Sequence, residues 1–506
     1  MCICQIGVVG VLVMRTGKGS VTGKVLPRIK NIPTISRLTV RQDMWHLKGF
    51  PYEVQRVALE RAKGNLGFAW FLDQGLGKTA VALNEITDLV VRDEIDGAVV
   101  VCINSLKGNW RQEAENWGVK IPVTVWPNRP TQAPFIFVIN FEAFIYDGAD
   151  VVMKLCRKYK TAAYIDESHK IKNPNGGVSK SIMALRNEFK YRRLLTGTPM
   201  TNNVMDLWPQ LTFINAIRSN PYSFRNRFAT LGGFMGKQVT GAKNEDELQG
   251  IMARCCMRAT KDQWLDLPEK IYPAPRQISM TKRQTELYRG MEQDLLVVLD
   301  SIGNDGDPDE VAANLVITQL LKLQQLSTGF IIREDGKVLE LMDPNKNPKV
   351  LELKGILESS NGKVLVFCKH RYVAGMLLEV LRNYGCSKLV GGMTDEEVAF
   401  EKSAFNCSGG NKCLVAQLSV GSTGHTLLGG PGDNRCSTTV FFENDFNLGN
   451  RMQAEDRNHR IGQDKAVVYI DFVASSTDTK IILALQKKHD LVKAVIDSKV
   501  LHKPVD

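Results

Sequence analysis

Four groups of residues in this chain have the types and spacing for phosphoryl chemistry. Gly75-Leu76-Gly77-Lys78-Thr79 follows the apolar run 66–72 and precedes the helix-forming stretch 80–91. A strand, a glycine turn and a helix N-terminus make an anion cradle, with backbone N–H groups and the positive end of the helix dipole aimed at phosphates. Lys78 would reach the β- and γ-phosphates of a nucleotide, and the Thr79 hydroxyl would ligate Mg²⁺. Position 72 is Leu where the strict P-loop spacing has Gly, so the match is to the helicase-type variant. Asp166-Glu167 closes a second apolar run. That location puts both carboxylates at the C-terminal edge of a sheet, where open α/β sheets bind ligands. Asp166 would hold Mg²⁺, and Glu167 would orient and deprotonate an attacking water. His169 would link this loop to Thr196 and Thr198 in Leu195-Thr196-Gly197-Thr198-Pro199. Gln453, Arg457 and Arg460 stand at i, i+4 and i+7 and would share one face of a helix. Two guanidinium groups on one face suit charge developing on a γ-phosphate, although the same spacing also fits a surface salt-bridge face. Gln55, upstream of the glycine loop, would hydrogen-bond the adenine, with Tyr52 or Phe50 beside it.

The elements that must position these groups read as two α/β domains. Short apolar runs at 66–72, 97–103, 135–139, 162–165 and 191–195 suit parallel strands covered on both faces, and the pattern returns at 364–368, 413–418, 438–442 and 467–473. Between the halves, 283–301 and 309–328 have helical periodicity, and 203–262 reads as mostly helical with a Gly/Lys-rich break near Gly232–Lys243. The expected division is an N-terminal segment 1–45, a first lobe 46–270, a helical protrusion and linker 271–345, and a second lobe 346–506. Asp335–Pro348 is the expected linker, on its Asp, Asn, Pro and Lys content. Residues Ile6 to Met14 read as a buried strand, since they lack the basic start and small-residue cleavage site of a signal peptide. The second glycine–lysine stretch, Gly19 to Lys24, lacks strand and helix flanks and reads as a loop.

Composition sets the bounds. A chain of 506 residues has room for at least two cores. Its apolar share of 43% and charged share of 24% are those of an ordinary globular protein, and no run approaches the ~18 apolar residues of a membrane span. The net charge of +11 permits a polyanionic partner without requiring one. Eleven cysteines, an odd number with no C-x-x-C pair, point to reduced thiols in a cytosol and not to a disulfide framework or a zinc site.

Taken in order, the glycine loop, Asp166-Glu167-Ser168-His169, the T-G-T-P box, Val364–Lys369, Gly421-Ser422-Thr423-Gly424 and Gln453–Gln463 resemble the Swi/Snf-type ATPases of helicase superfamily two. Smaller similarities lie at Ser105-Leu106 with Trp110 and Glu113, Asn140-Phe141-Glu142, Ile171-Lys172-Asn173, Asn202-Asn203 with Leu207-Trp208, Leu267-Pro268 with Lys270, Gln284 with Tyr288, and Pro348-Lys349. The resemblance spans roughly residues 46–500. It implies two tandem RecA-like P-loop domains with helical insertions, ATP and Mg²⁺, and double-stranded DNA as the track; branched DNA is a further expected partner. By position it implies phosphate contacts from Asn104, Ser105, Lys107 and Asn140, and from Lys369, His370, Ser422 and Thr423. Gly424 and Gln453 would join the nucleotide site. The chain departs from the family pattern at Asp73-Gln74, Ser168, Phe446 and His425-Thr426, and in the spacing of Tyr52 and Gln55. With no room for a reader domain, it is expected to be a bare motor, monomeric, in the cytoplasm of a prokaryotic or virus-infected cell. The expected function is translocation on duplex DNA that remodels protein–DNA complexes or branched DNA. A strand-separating helicase and an ATPase-inactive nucleic-acid scaffold are the alternatives.

Overall fold

The computed structural model describes residues 45–232, 238–304, 310–421 and 426–497. The expected strand at Ile6 to Met14, the loop at Gly19 to Lys24 and the residues Ser422, Thr423 and Gly424 lie outside the described residues.

Eighteen strands are described, in chain order. The first set is β1 Gly67–Leu72, β2 Gly97–Cys102, β3 Val123–Val125, β4 Phe135–Asn140, β5 Thr161–Asp166, β6 Tyr191–Leu195, β7 Ala229–Gly232, β8 Gln238–Ala242 and β9 Cys256–Ala259. The second is β10 Lys270–Ile271, β11 Arg276–Gln277, β12 Phe330–Ile332, β13 Val338–Glu340, β14 Lys363–Cys368, β15 Cys386–Leu389, β16 Cys413–Gln417, β17 Cys436–Phe441 and β18 Val467–Val473. A seven-stranded parallel sheet has the order β3-β4-β2-β5-β6-β1-β9. A second parallel sheet has the order β10-β18-β17-β14-β16-β15, with β11 also on β18.

The apolar runs form strands because both faces of each sheet are covered. In β1, Phe68, Trp70 and Leu72 enter one core cluster while Ala69 and Phe71 enter another. In β14, Val364, Val366 and Cys368 divide from Leu365 and Phe367 in the same way. The helices Lys282–Asn304 and Glu310–Thr328 pack on each other through Tyr288, Leu295, Leu323 and Leu326.

Two expectations need correction. Part of Asp335–Pro348 is folded: β13 pairs antiparallel with β12, and Asp343 and Asn347 cap the turn and helix that follow. Within 203–262 the chain also forms the hairpin β7–β8 and the edge strand β9, whose parallel pairing with β1 supplies partners that helical periodicity does not reveal. Among the described residues no helix is long and apolar enough to cross a membrane.

One charged pair is buried in the first core. Arg193 on β6 meets Glu85 of the helix Lys78–Val91 through contacts of 2.8–3.0 Å, and Tyr164 donates to the same carboxylate at 2.8 Å. Removing one partner strands a charge in a dry site, which typically costs about 3–5 kcal/mol. Arg193→Met is expected to destabilise the first lobe by about that amount, and Glu85→Met with Arg193→Met to recover most of it, as read by urea unfolding.

Candidate nucleotide site

The glycine loop joins β1 to the helix that begins at Lys78. Gly75 and Gly77 both have left-handed backbone, with φ of +90° and +82°. The left-handed backbone is what favours glycine at 77; a Cβ there would also sit 2.0 Å from Gln55 Nε2, the end of a side chain that would have to shift. Lys78 Nζ donates to Leu72 O at 2.8 Å and Asp73 O at 3.4 Å, which holds the ammonium inside the loop. Thr79 follows, half-buried, in the first turn of the helix.

Gln55 is buried against this loop, but its carbonyl is already in use. Its Oε1 accepts from Tyr52 N at 2.9 Å and caps the helix Glu53–Ala62, while Phe50 and Tyr52 are exposed. The expected adenine contact is therefore reduced to the Nε2 donor beside Gly77.

Asp166 is the last residue of β5, and Glu167 turns away from it with φ of +52°. Trp110 Nε1 donates to Asp166 Oδ2 at 3.0 Å, and the Glu167 N–H donates to Oδ1 at 3.0 Å. Burial and the adjacent Glu167 charge push the Asp166 carboxyl up to about 6. Burial acts on Glu167 in the same direction, but the hydrogen bond and charge of His169, with Lys78 and Arg457, hold it down at about 2.

His169 and the T-G-T-P box meet at this pair. Thr196 Oγ1 donates to Glu167 Oε2 at 3.2 Å and accepts from Thr198 N at 3.1 Å. His169 Nδ1 lies 3.2 Å from Thr196 Oγ1 and 3.4 Å from Glu167 Oε2. Thr198 Oγ1 is buried with no partner among the described residues, an orphan hydroxyl that fits a bound group or water in the site.

The second lobe contributes Arg457. Its Nη2 donates to Gln74 Oε1 in the glycine loop, and its Nε to Gln453 O at 2.8 Å. Burial and the nearby Arg460 lower Arg457 to about 10. Burial also lowers Arg460. The expectation of one helical face is corrected. The helix Leu448–Glu455 includes Gln453 but ends before both arginines. The chain leaves the helix because Asn458 bonds Thr439 Oγ1 of β17 at 2.9 Å and His459 Nε2 bonds Pro268 O at 2.7 Å.

The residues expected on DNA fall at strand ends. Asn104 and Ser105 are exposed after β2; Lys107 Nζ reaches Asn140 Oδ1 at 3.4 Å, and Asn140 donates to Glu142 at 2.8 Å. After β14, the backbone N–H groups of Lys369 and His370 both donate to Glu443 Oε2 at 3.0 Å. His370 Nδ1 meets Glu443 Oε1 at 2.9 Å, and Lys369 Nζ donates to Gln324 Oε1 at 2.8 Å.

Sequence reasoning missed Gln74 as the arginine's acceptor and Arg258 as a tie. Arg258 Nη1 donates to Asp73 Oδ1 at 2.7 Å and Gly197 O at 3.3 Å, and its Nε to Asp497 Oδ1 at 2.7 Å. The available signal was a lone arginine inside the strand-forming stretch Cys256–Ala259.

The SNF2-related domain family matches residues 54–329, more than half of the chain, and the helicase conserved C-terminal domain matches 346–462. The chain belongs to the SNF2 family. Its two parallel sheets are that family's tandem RecA-like lobes, and it is a helicase-like, ATP-hydrolysing enzyme of superfamily two. Among relatives, the chromatin structure-remodeling complex subunit snf21 of Schizosaccharomyces pombe is 26% identical over 464 residues, covering 84% of this chain and 37% of the relative. The ATP-dependent helicase brm of Drosophila melanogaster is 27% identical over 477 residues, covering 84% and 28%. The chain thus spans well under half the length of these curated relatives. The solved Sulfolobus solfataricus SWI2/SNF2 ATPase core in complex with dsDNA is 23% identical, with 90% of this chain and 95% of that chain covered, at a TM-score of 0.40.

Two substitutions in this SNF2 chain separate binding from chemistry. Glu167→Gln is expected to lower ATP turnover by about a thousandfold while ATP binding persists. Lys78→Ala is expected to weaken binding itself. Phosphate-release kinetics and calorimetric titration measure both, and near-wild-type turnover in Glu167→Gln would contradict its assignment.

Proposed function

We propose that this SNF2-family chain is an ATP-driven translocase on double-stranded DNA, remodelling protein–DNA complexes or branched DNA. The observation that carries the reading is the contact of Arg457 with Gln74. Residues from opposite halves of the chain meet at one phosphate cradle. A site built that way is complete only when the lobes approach, so each hydrolytic cycle couples to lobe movement.

In this reading Lys78 leaves the carbonyls of Leu72 and Asp73 to meet the β- and γ-phosphates. Thr79 and Asp166 would hold Mg²⁺, which supplies Lewis-acid stabilisation of phosphate charge when bound. Glu167 orients the attacking water and takes its proton, and Thr196 and His169 fix the carboxylate for that task. Arg457 exchanges Gln74 for phosphate oxygen, and Arg460 adds a second positive charge.

The polar groups after β2, β4 and β14 support a DNA track along the C-terminal edges of the two sheets. They are suited to phosphates and not to base edges, so binding is expected to be sequence-independent. Lys369 supports it further, since its half-buried ammonium has a neutral amide as hydrogen-bond partner. The names of the relatives, a remodelling-complex subunit and an ATP-dependent helicase, fit the same reading.

ATPase measured without nucleic acid, with single strands and with duplex tests it, alongside displacement of a triplex third strand. Duplex is expected to stimulate more than single strands, and the third strand to be released without separation of the underlying duplex. Stimulation mainly by single strands, with duplex unwinding, would favour a strand-separating helicase instead. Lys369→Ala is expected to lower the log–log salt slope of duplex binding by up to about one unit.

A further inference from the structure

Between the glycine loop and the arginine segment stands one buried lysine that touches both. Lys261 follows β9, at the start of the short helix Lys261–Trp264. Its backbone N–H donates to Asp73 Oδ2 at 3.0 Å, on the residue that opens the glycine loop. Its side chain then runs past the loop: a Cβ placed on Gly75 would lie 3.9 Å from Lys261 Cε. The ammonium ends in the second lobe, where it donates to Asp456 Oδ1 at 2.7 Å and His459 O at 2.7 Å. Those two residues directly precede Arg457 and Arg460 in the chain.

We propose that Lys261 is a positioning residue that sets the reach of Arg457 and Arg460 relative to the glycine loop. It meets the glycine loop only at Asp73 and beside Gly75, and it acts through these and through Asp456 and His459. The inference deepens the split-site reading proposed above and rests on it. The argument is geometric. Lys78 must leave the carbonyls of Leu72 and Asp73 to meet phosphate, so nucleotide entry changes the contacts of the residue whose side chain the Lys261 backbone N–H holds. Lys261 is hydrogen-bonded to the Asp73 side chain, and its other end holds the turn that carries both arginines. A rigid ion pair at 2.7 Å transmits the change, where an apolar side chain of equal length would slide.

A purely space-filling role would not need a charge. Burying an ammonium is costly unless it is paired, and methionine would fill the same volume without that cost. Asp456 also keeps a second cation, Lys270 Nζ at 3.6 Å, so removing the Lys261 charge does not leave the acid alone. That makes Lys261→Met a usable variant, and Asp456→Asn a second one that removes the same link from the other side.

The test compares wild type, Lys261→Met, Asp456→Asn and the double variant, by ATP turnover, by calorimetric binding of a non-hydrolysable ATP analogue, and by fluorescence transfer between labels on the two lobes. Each single variant is expected to lose about a hundredfold in kcat, the scale of a misplacement near 1 Å, while binding the analogue as wild type does. The analogue-induced change in lobe distance is expected to fall in both. The double variant is expected to be no worse than the poorer single one, because both break one link. Wild-type kcat in Lys261→Met, losses that multiply in the double variant, or a loss confined to analogue binding would each overturn the proposal. Inactive wild type would instead overturn the split-site reading beneath it.

Discussion

The rest of the structure depends on one requirement: Arg457 must reach the glycine loop from the other half of the chain. Its partner Gln74 lies 383 residues away in sequence. No local element can bring such residues together. Two parallel sheets do so, with the loops after their C-terminal strand ends carrying the polar groups that meet. β1, β5 and β6 deliver the glycine loop, the acid pair and the T-G-T-P box from adjacent positions in one sheet. In the second sheet, β17 and β18 flank the segment that carries the arginines.

Several buried charges beside these loops have specific partners. Arg258 bridges Asp73 and Asp497, which ties the glycine loop to the residue just beyond the C-terminal helix Ser476–Val495. Gln249 donates to Ala494 O at 2.9 Å beside it. Glu443 gathers two backbone N–H groups and His370 into one carboxylate, which fixes the turn after β14. Such pairs add little to stability by themselves, because desolvation offsets the attraction. Their use here is geometric, since a buried ion pair tolerates few arrangements.

Much of the fold was legible because the central strands are buried on both faces and read as unbroken apolar runs. The bounds at 191–195 and 467–473 coincide with β6 and β18. The edge strands were not legible. β3, β9 and β15 have three or four residues each, and β9 carries Arg258, so no apolar run announces them. The acid pair was legible from its place after an apolar run, and the link from His169 to Thr196 from motif order. The arginines were legible in type but not in conformation. Spacing alone suggested a helix, whereas Asn458 and His459 find tertiary partners that end it. The local cap on the Gln55 carbonyl was not legible either, because periodicity does not show which partner a side-chain amide takes. Sequence periodicity carries no information about any of these long-range partners.

The central claim is that the catalytic site is completed across the two lobes. A crystal structure of the chain with ADP, aluminium fluoride, Mg²⁺ and a short duplex tests it most directly. The account predicts that Arg457 has released Gln74, that both Arg457 and Arg460 donate to the fluoride of the γ-phosphate mimic, and that Lys78 has left Leu72 O for the same group. A mimic bound by first-lobe residues alone, with Arg457 still on Gln74 and Arg460 turned away, would contradict it.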